Sequence, residues 1–230
     1  MRVGVVNRRV VRTEPELRAA LTEAFSAGLA VYVAGGGEPP ASGDSVELEV
    51  ATRGIDIETE GCNVDDLVFC GAVTVRLAAG EPWGEFVRLA VENGWAGVEA
   101  LAGEPGTVGA IVAANPVRFG QSPADTVASV RTWDRSSDSQ RTFAMVDCGF
   151  AAGSSLFARE QLADGSPRYA VIEVALLLKQ ADVTASIDDP QLAEALSVAQ
   201  GARVPLAHVR EVALASAAQV SRPELPPERT

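Results

Sequence analysis

Two glycine-rich segments of this 230-residue chain carry the backbone donors that an anion needs. The first is Ala34-Gly35-Gly36-Gly37, straight after the apolar run 29–34. Consecutive glycines admit positive φ and let amides come close to a phosphate. The same residues also read as a glycine-rich surface turn. The GxGxxG fingerprint that opens a helix is absent, because Glu38-Pro39-Pro40 follow. The second segment is Gly103-Glu104-Pro105-Gly106-Thr107-Val108-Gly109-Ala110. Pro105 is expected to begin a short helix through Ala114, with the amides of Thr107 and Val108 facing an anion at its N-terminus. Gly106 and Gly109 allow close packing, and a tight helix start packed against a sheet is the alternative reading.

Other reactive residue types form no constellation. Cys62, Cys70 and Cys148 include no CxxC pair, and with His208 the single histidine there is no zinc pattern. The cysteines read as buried reduced thiols. His208 falls in an expected helix with no paired acid or nucleophile. Trp83 and Trp95 are expected in the core and Trp133 on a strand at a surface. Ser154 and Ser155 read as turn residues.

The elements that must position these segments follow from periodicity. Residues 3–6 read as a strand or ordered arm. Residues 13–28 read as a helix, with Thr13 and Glu16 at capping-box spacing, Leu17, Leu21, Ala24 and Phe25 on one face, and Gly28 as C-cap. A buried strand at 29–34 runs into the first glycine turn. Short β-like pieces, ELEVAT, GIDIET and DLVFC, suggest a small sheet between Val46 and Phe69. A strand at 73–78 precedes an amphipathic helix at 82–93, whose apolar face is Trp83, Phe86, Val87, Ala90 and Val91. Strands are expected at 127–134 and 169–178, and helices at 190–199 and 205–217. The tail from 221 to 230 is rich in proline and charge and is expected to be disordered. No internal repeat is present, and the class is α+β.

The composition is that of a globular chain, 47% hydrophobic. Asp plus Glu is 31 against 19 Lys plus Arg, a net charge of −12. So acidic a surface repels phosphate backbones and anionic membranes, which argues against nucleic-acid and membrane partners. It does not exclude an anion held locally by backbone amides. No segment is long and apolar enough for a bilayer span, and the default expectation is a cytoplasmic protein.

Several segments, in order, resemble the UDP-N-acetylenolpyruvoylglucosamine reductase family. LAVENGWAGVEALAGEPGTVGAIVAANPVRFGQ at 89–121 is similar to a stretch that reads as an apolar helix, G-L-x-G-x-E, G-x-P-G-x-V-G and N-x-G-A-Y-G. VYVAGGGEPPASGD (31–44) takes the place of the G-x-G-S-N phosphate loop. VTVRLAAGEPWGEFVRLAVENG (73–94), VASVRTWDRSSDSQRTF (127–143), CGFAAGSSLF (148–157) and RYAVIEVALLL (168–178) match further segments. The resemblance covers most of residues 2–215. It implies a two-lobed FAD-binding fold of the vanillyl-alcohol-oxidase type, without the family's C-terminal substrate domain. The lobes are expected at 1–71 and 72–220, with FAD between them. The residues implied at the cofactor are Gly35, Gly36, Gly37, Gly103, Pro105, Gly106, Thr107, Val108, Gly109, Asn115, Phe119 and Gly120.

The chain also departs from that pattern. Gly153 stands at the family's catalytic-site arginine and Ala152 at the preceding tyrosine. A glycine supplies neither the charge nor the fork of donors. Nothing after Val183 resembles the family's proton-donating serine segment or its C-terminal glutamate. Glu38-Pro39 replaces the Ser-Asn of the phosphate loop, Val117 and Arg118 replace Gly and Ala, and Glu104 replaces a small or apolar residue. The expectation is a divergent FAD-binding oxidoreductase-type protein acting on a different small molecule. The alternative is a non-catalytic scaffold that keeps the fold and serves a protein partner or a homo-oligomer. Ordinary reductase activity ranks below both, since it needs the absent groups from another chain.

Overall fold

Thr13 is in extended conformation and accepts from the Glu16 amide, while the Glu16 carboxylate accepts from the Thr13 amide. This capping box starts helix α1 (Glu14–Ala27), and Gly28, at φ 64°, ends it. The computed structural model describes residues 6–33, 45–58 and 71–220. Helix α1 links strand β1 (Val6–Val11) to β2 (Ala30–Val33), and β3 (Ser45–Val50) lies between them in a parallel sheet of order β1-β3-β2. Of the strand expected at 3–6, residues 3–5 lie outside the described residues, and strand structure is described from Val6 onward. Leu17, Leu21 and Ala24 of α1 are buried as expected, whereas Phe25 is half exposed.

The second lobe is built on an antiparallel sheet. It contains β4 (Ile55–Glu58), β5 (Ala72–Ala78), β6 (Trp95–Ala96), β7 (Val127–Asp134), β8 (Ser139–Ala144) and β9 (Tyr169–Gln180), in the order β4-β5-β9-β7-β8 with β6 paired to the end of β9. ELEVAT and GIDIET thus join different sheets, and β4 precedes Gly71 in the chain yet pairs with β5. DLVFC and the tail lie outside the described residues. One face of the sheet carries helices α2 (Trp83–Glu92), α3 (Val108–Ala114) and the one-turn α4 (Leu156–Arg159). Val75, Leu77, Val130, Val174 and Leu176 pack there against Trp83, Phe86, Val87, Val108 and Val112. Helices α5 (Pro190–Leu196) and α6 (Leu206–Val220) close over the 3-10 turn Glu99–Leu101, with Ile187, Leu192, Leu196 and Val209 gathered around Ala100. Further 3-10 turns occur at Pro123–Asp125 and Met145–Asp147.

The lobes share a core. Val11, Leu17, Leu21, Leu48 and Val50 of the first pack against Ala79, Trp133, Ala170 and Ile172 of the second. Trp133 is only 6% exposed, so it is an interlobe residue rather than the surface residue expected; its ring lies under the Arg18 guanidinium and its Nε1 donates to Asp138. Arg131 on β7 forks onto both carboxylate oxygens of Glu14 at 2.7 and 2.9 Å and also reaches Glu173. The Arg131 hydrogen bonds hold the Glu14 carboxyl below the usual range. Among the described residues, no helix is long and apolar enough to cross a membrane.

Candidate cofactor site

At Gly80 the backbones of the two lobes come close together. A Cβ there would lie 2.4 Å from the Thr52 amide nitrogen and 2.6 Å from the carbonyl oxygens of Thr52 and Val50, so only glycine fits. Its amide donates to Thr52 Oγ1. One residue on, Glu81 accepts from the Gly54 amide at 2.7 Å and from Arg53 at 3.2 Å, tying the end of β3 to the turn after β5. A cavity of about 410 Å³ opens beside this seam, at the carboxyl ends of β1 and β3. Its guanidinium groups are largely answered from within, Arg53 by Glu81, Arg76 by Glu58 and Arg131 by Glu14 and Glu173.

The second glycine segment lies against the same turn. Gly109 donates to the Ala79 carbonyl at 2.9 Å, and a Cβ on it would be 2.8 Å from the Ala79 methyl. Val108 donates to the Glu81 carbonyl, and Trp83 donates to the Gly106 carbonyl. The amides of Val108 and Gly109 are therefore taken up by protein carbonyls. The amides of Gly106 and Thr107 meet no acceptor among the described residues, and Gly106 is exposed while Thr107 is half-buried. Gly106 is exposed with φ 127°, a conformation L side chains rarely adopt, although a Cβ would meet nothing closer than 3.8 Å. Backbone conformation rather than packing requires this glycine. Thr107, not Pro105, starts α3: its Oγ1 accepts from the Ala110 amide, and the helix runs Val108–Ala114. Pro105 is exposed in the preceding loop.

Asn115 ends α3 in the left-handed region at φ 46° and is 2% exposed. Its Nδ2 donates to the Ala151 carbonyl at 2.7 Å and its Oδ1 accepts from Ala124 at 3.1 Å. Its own carbonyl accepts from Gly153. Asn115 thus braces the turn 151–154 against the loop before β7. Gly153 sits on that turn, exposed, with φ 69° and open space where a side chain would point. Ser155 is buried, caps α4 through the Phe157 amide and donates to Ala113 O, while Arg159 reaches Ser154 Oγ and Gly149 O. Cys148 is fully buried and donates to Ala144 O; burial, with the charge of Asp147, pushes its thiol up to about 12, so it is no nucleophile. His208 is exposed on α6.

Phe119 and Gly120 have positive φ, 48° and 77°, and place Phe119 between the sheet core and the helices α5 and α6. Gly103, at φ 90°, lies under α6, where a Cβ would be 2.6 Å from that of Ala217. Gly35, Gly36 and Gly37 lie outside the described residues, as does Glu38. Within the described residues, then, Gly106 to Gly109 are brought together with Ala79 to Trp83, Gly103 with α6, and Asn115 with Gly153. The sequence reading missed the Ala79-Gly80 seam, which carried a signal in its Ala-Gly-Glu-Pro string. It also missed that Glu104 and Arg118, two separate departures from the family pattern, meet each other. Among the described residues, no group of acidic, histidine or cysteine side chains is arranged to hold a metal ion.

Residues 9–142 match a family model described as FAD binding domain, and the chain belongs to that family. Its fold is the two-lobed FAD-binding fold of the vanillyl-alcohol-oxidase type, and FAD is the cofactor the family assigns. More particularly, the chain is 34% identical over 221 residues to UDP-N-acetylenolpyruvoylglucosamine reductase of Cutibacterium acnes, covering 94% of this chain and 55% of that protein. The chain spans about half the length of the curated relatives it matches. Among solved structures, the reductase of the same name from Thermus caldophilus superposes with a TM-score of 0.54 at 17% identity, over 94% of this chain and 64% of that one. A solvent-stable cholesterol oxidase superposes at 0.53 and 18% identity, over 79% and 36%. These two likenesses concern the fold.

Proposed function

We propose that this chain binds FAD across its two lobes and serves an oxidoreductase-type reaction on a small molecule other than UDP-N-acetylenolpyruvoylglucosamine. The observation that carries the cofactor side is the exposed Gly106-Thr107 edge. Two backbone amides without acceptors among the described residues, one of them on a glycine at φ 127°, form the turn that leads into α3, and such a glycine turn can hold a phosphate. The pyrophosphate is expected on these amides together with those of Gly35 to Gly37. When bound, the flavin supplies hydride exchange at its N5. What the protein adds is orientation: the Gly80 seam fixes the distance between lobes, and Asn115 fixes the turn bearing Ala152 and Gly153.

The substrate side rests on that turn. Gly153 leaves empty space where the resembling family has its arginine, so no guanidinium from this position meets an anionic substrate. The charge of −12 favours a small-molecule over a nucleic-acid ligand, and a cytoplasmic location is part of the same proposal. One observation favours the scaffold alternative: Val108, Gly109 and the Asn115 side chain spend their hydrogen bonds inside the protein.

The test is titration of FAD into apo-protein, followed by the flavin absorption spectrum. Saturable binding is expected, and Gly106→Asp, with its fold checked by circular dichroism, should abolish it. Absence of binding by the wild type moves the assignment to the scaffold. NADPH oxidation dependent on UDP-N-acetylenolpyruvoylglucosamine should be undetectable; robust turnover by this chain alone contradicts the substrate reading.

A further inference from the structure

Glu104 lies two residues before Gly106, and Arg118 lies fourteen residues beyond Glu104. Arg118 Nη1 meets Glu104 Oε1 at 3.2 Å, with side chains only 18% and 21% exposed. The second arm of the fork, Nη2, donates to the Ala213 carbonyl of α6 at 3.3 Å, and the guanidinium stands 5.4 Å from the Phe119 ring centroid. Arg118 Nε is enclosed and has no partner. One arginine therefore joins the glycine loop, the 115–121 loop and α6.

We propose that Arg118 is the positioning residue that lets the Gly106-Thr107 edge accept a phosphate. This rests on the cofactor reading above. An unanswered Glu104 carboxylate, so close in sequence to the two free amides and largely withdrawn from water, opposes an approaching pyrophosphate. Paired with Arg118, it is neutralised and its carboxylate is held in one direction. Glu104 and Arg118 act as one unit, and the two substitutions are tolerable together where one alone is not.

The experiment is an FAD titration, followed by quenching of flavin fluorescence, on the wild type, Arg118→Met, Arg118→Lys and the double variant Arg118→Met/Glu104→Gln. Methionine keeps an unbranched apolar stem of similar length, and far-UV circular dichroism and the apo thermal midpoint check the fold. Arg118→Met should weaken FAD binding at least tenfold, with a loss that shrinks at high salt. Arg118→Lys keeps the charge but loses the second arm to Ala213, so it should bind more weakly than the wild type and more tightly than Arg118→Met, and the double variant should recover to within about threefold of the wild type. A Met variant that binds as the wild type does, or a double variant as weak as the Met variant, overturns the inference while leaving the cofactor reading standing. No FAD binding by the wild type overturns both.

Discussion

At the residue scale, Asn115 and Asp134 show how much a buried polar group contributes once its partners are fixed. Asn115 answers Ala151, Ala124 and Gly153 at once and holds a left-handed backbone. Asn115→Ala removes both side-chain bonds, to the exposed Ala151 and the half-buried Ala124, and a loss of about 1–2 kcal/mol is expected in urea unfolding. Asp134 is buried, which opposes its ionisation, but the bidentate Arg168 contact and the Ser136 bonds outweigh that and hold its carboxyl down at about 2. A depressed folded value gives stability that is complete above the unfolded value near 3.8 and is lost as pH falls toward 2. The contribution is about 2 kcal/mol by linkage. Asp134→Asn should therefore lower stability at pH 6 by about that amount and by much less at pH 2, as read from denaturation midpoints at each pH. A loss that is equal at both pH values contradicts the assignment. Residues of this kind were legible only in part. Asn115 stood out because it sits in a matched segment, whereas Glu104 with Arg118 and Glu14 with Arg131 are long-range pairs that no local pattern exposes.

At the element scale, the parts that local chemistry dictates were readable. Helix α1 announces itself by Thr13, Glu16 and Gly28, and α2 by its apolar face, because caps and periodicity act within a few residues. Strand β8 was missed: of Ser139 to Ala144 only Phe143 is buried, so no alternation marks it. The assignment of β4 and β3 to different sheets was equally hidden, since pairing partners are chosen by tertiary contact. The helix expected from Pro105 begins at Val108 because Trp83 and Val108 tie the preceding loop to β5's turn instead. Two glycines separate packing from propensity. At Gly80→Ala the new methyl meets backbone atoms of Thr52 and Val50, which cannot move without parting the lobes, and a loss of about 3 kcal/mol is expected. At Gly84→Ala, exposed in α2 with nothing within 4 Å, a gain of about 0.5–1 kcal/mol is expected from helix propensity. Thermal midpoints of the two variants should move in opposite directions, and a shared direction would show that the seam is looser than described.

At the scale of the whole molecule, the question is whether two lobes make one cooperative unit. The described first lobe has three strands and one helix, too few to bury a core alone. Its apolar side is completed by Ala79, Trp133, Ala170 and Ile172 from the second lobe, and Arg131 bridges to Glu14 across the seam. Folding of the first lobe is thereby conditional on docking, so unfolding should be a single transition, seen together by far-UV circular dichroism and calorimetry. The seam also predicts where cooperativity breaks. Arg131→Gln removes the cation between Glu14 and Glu173 and leaves two carboxylates facing one another. Since both are about a third exposed, water screens part of the repulsion, and a cost of about 1–2 kcal/mol is expected rather than the larger loss of a fully buried pair. That cost should shrink in acid, as the Glu14 carboxyl, no longer held low by the Arg131 bonds, takes up a proton. Hydrogen exchange in α1 of the variant should accelerate before exchange in β5, β7 and β9, because only the first lobe depends on the bridge. FAD should reverse this, since a ligand that contacts both lobes stabilises the docked state by about 2.7 kcal/mol at a hundredfold excess over its dissociation constant. If α1 and the large sheet exchange in parallel in Arg131→Gln, the bridge is not what joins the lobes and the shared core alone carries their coupling.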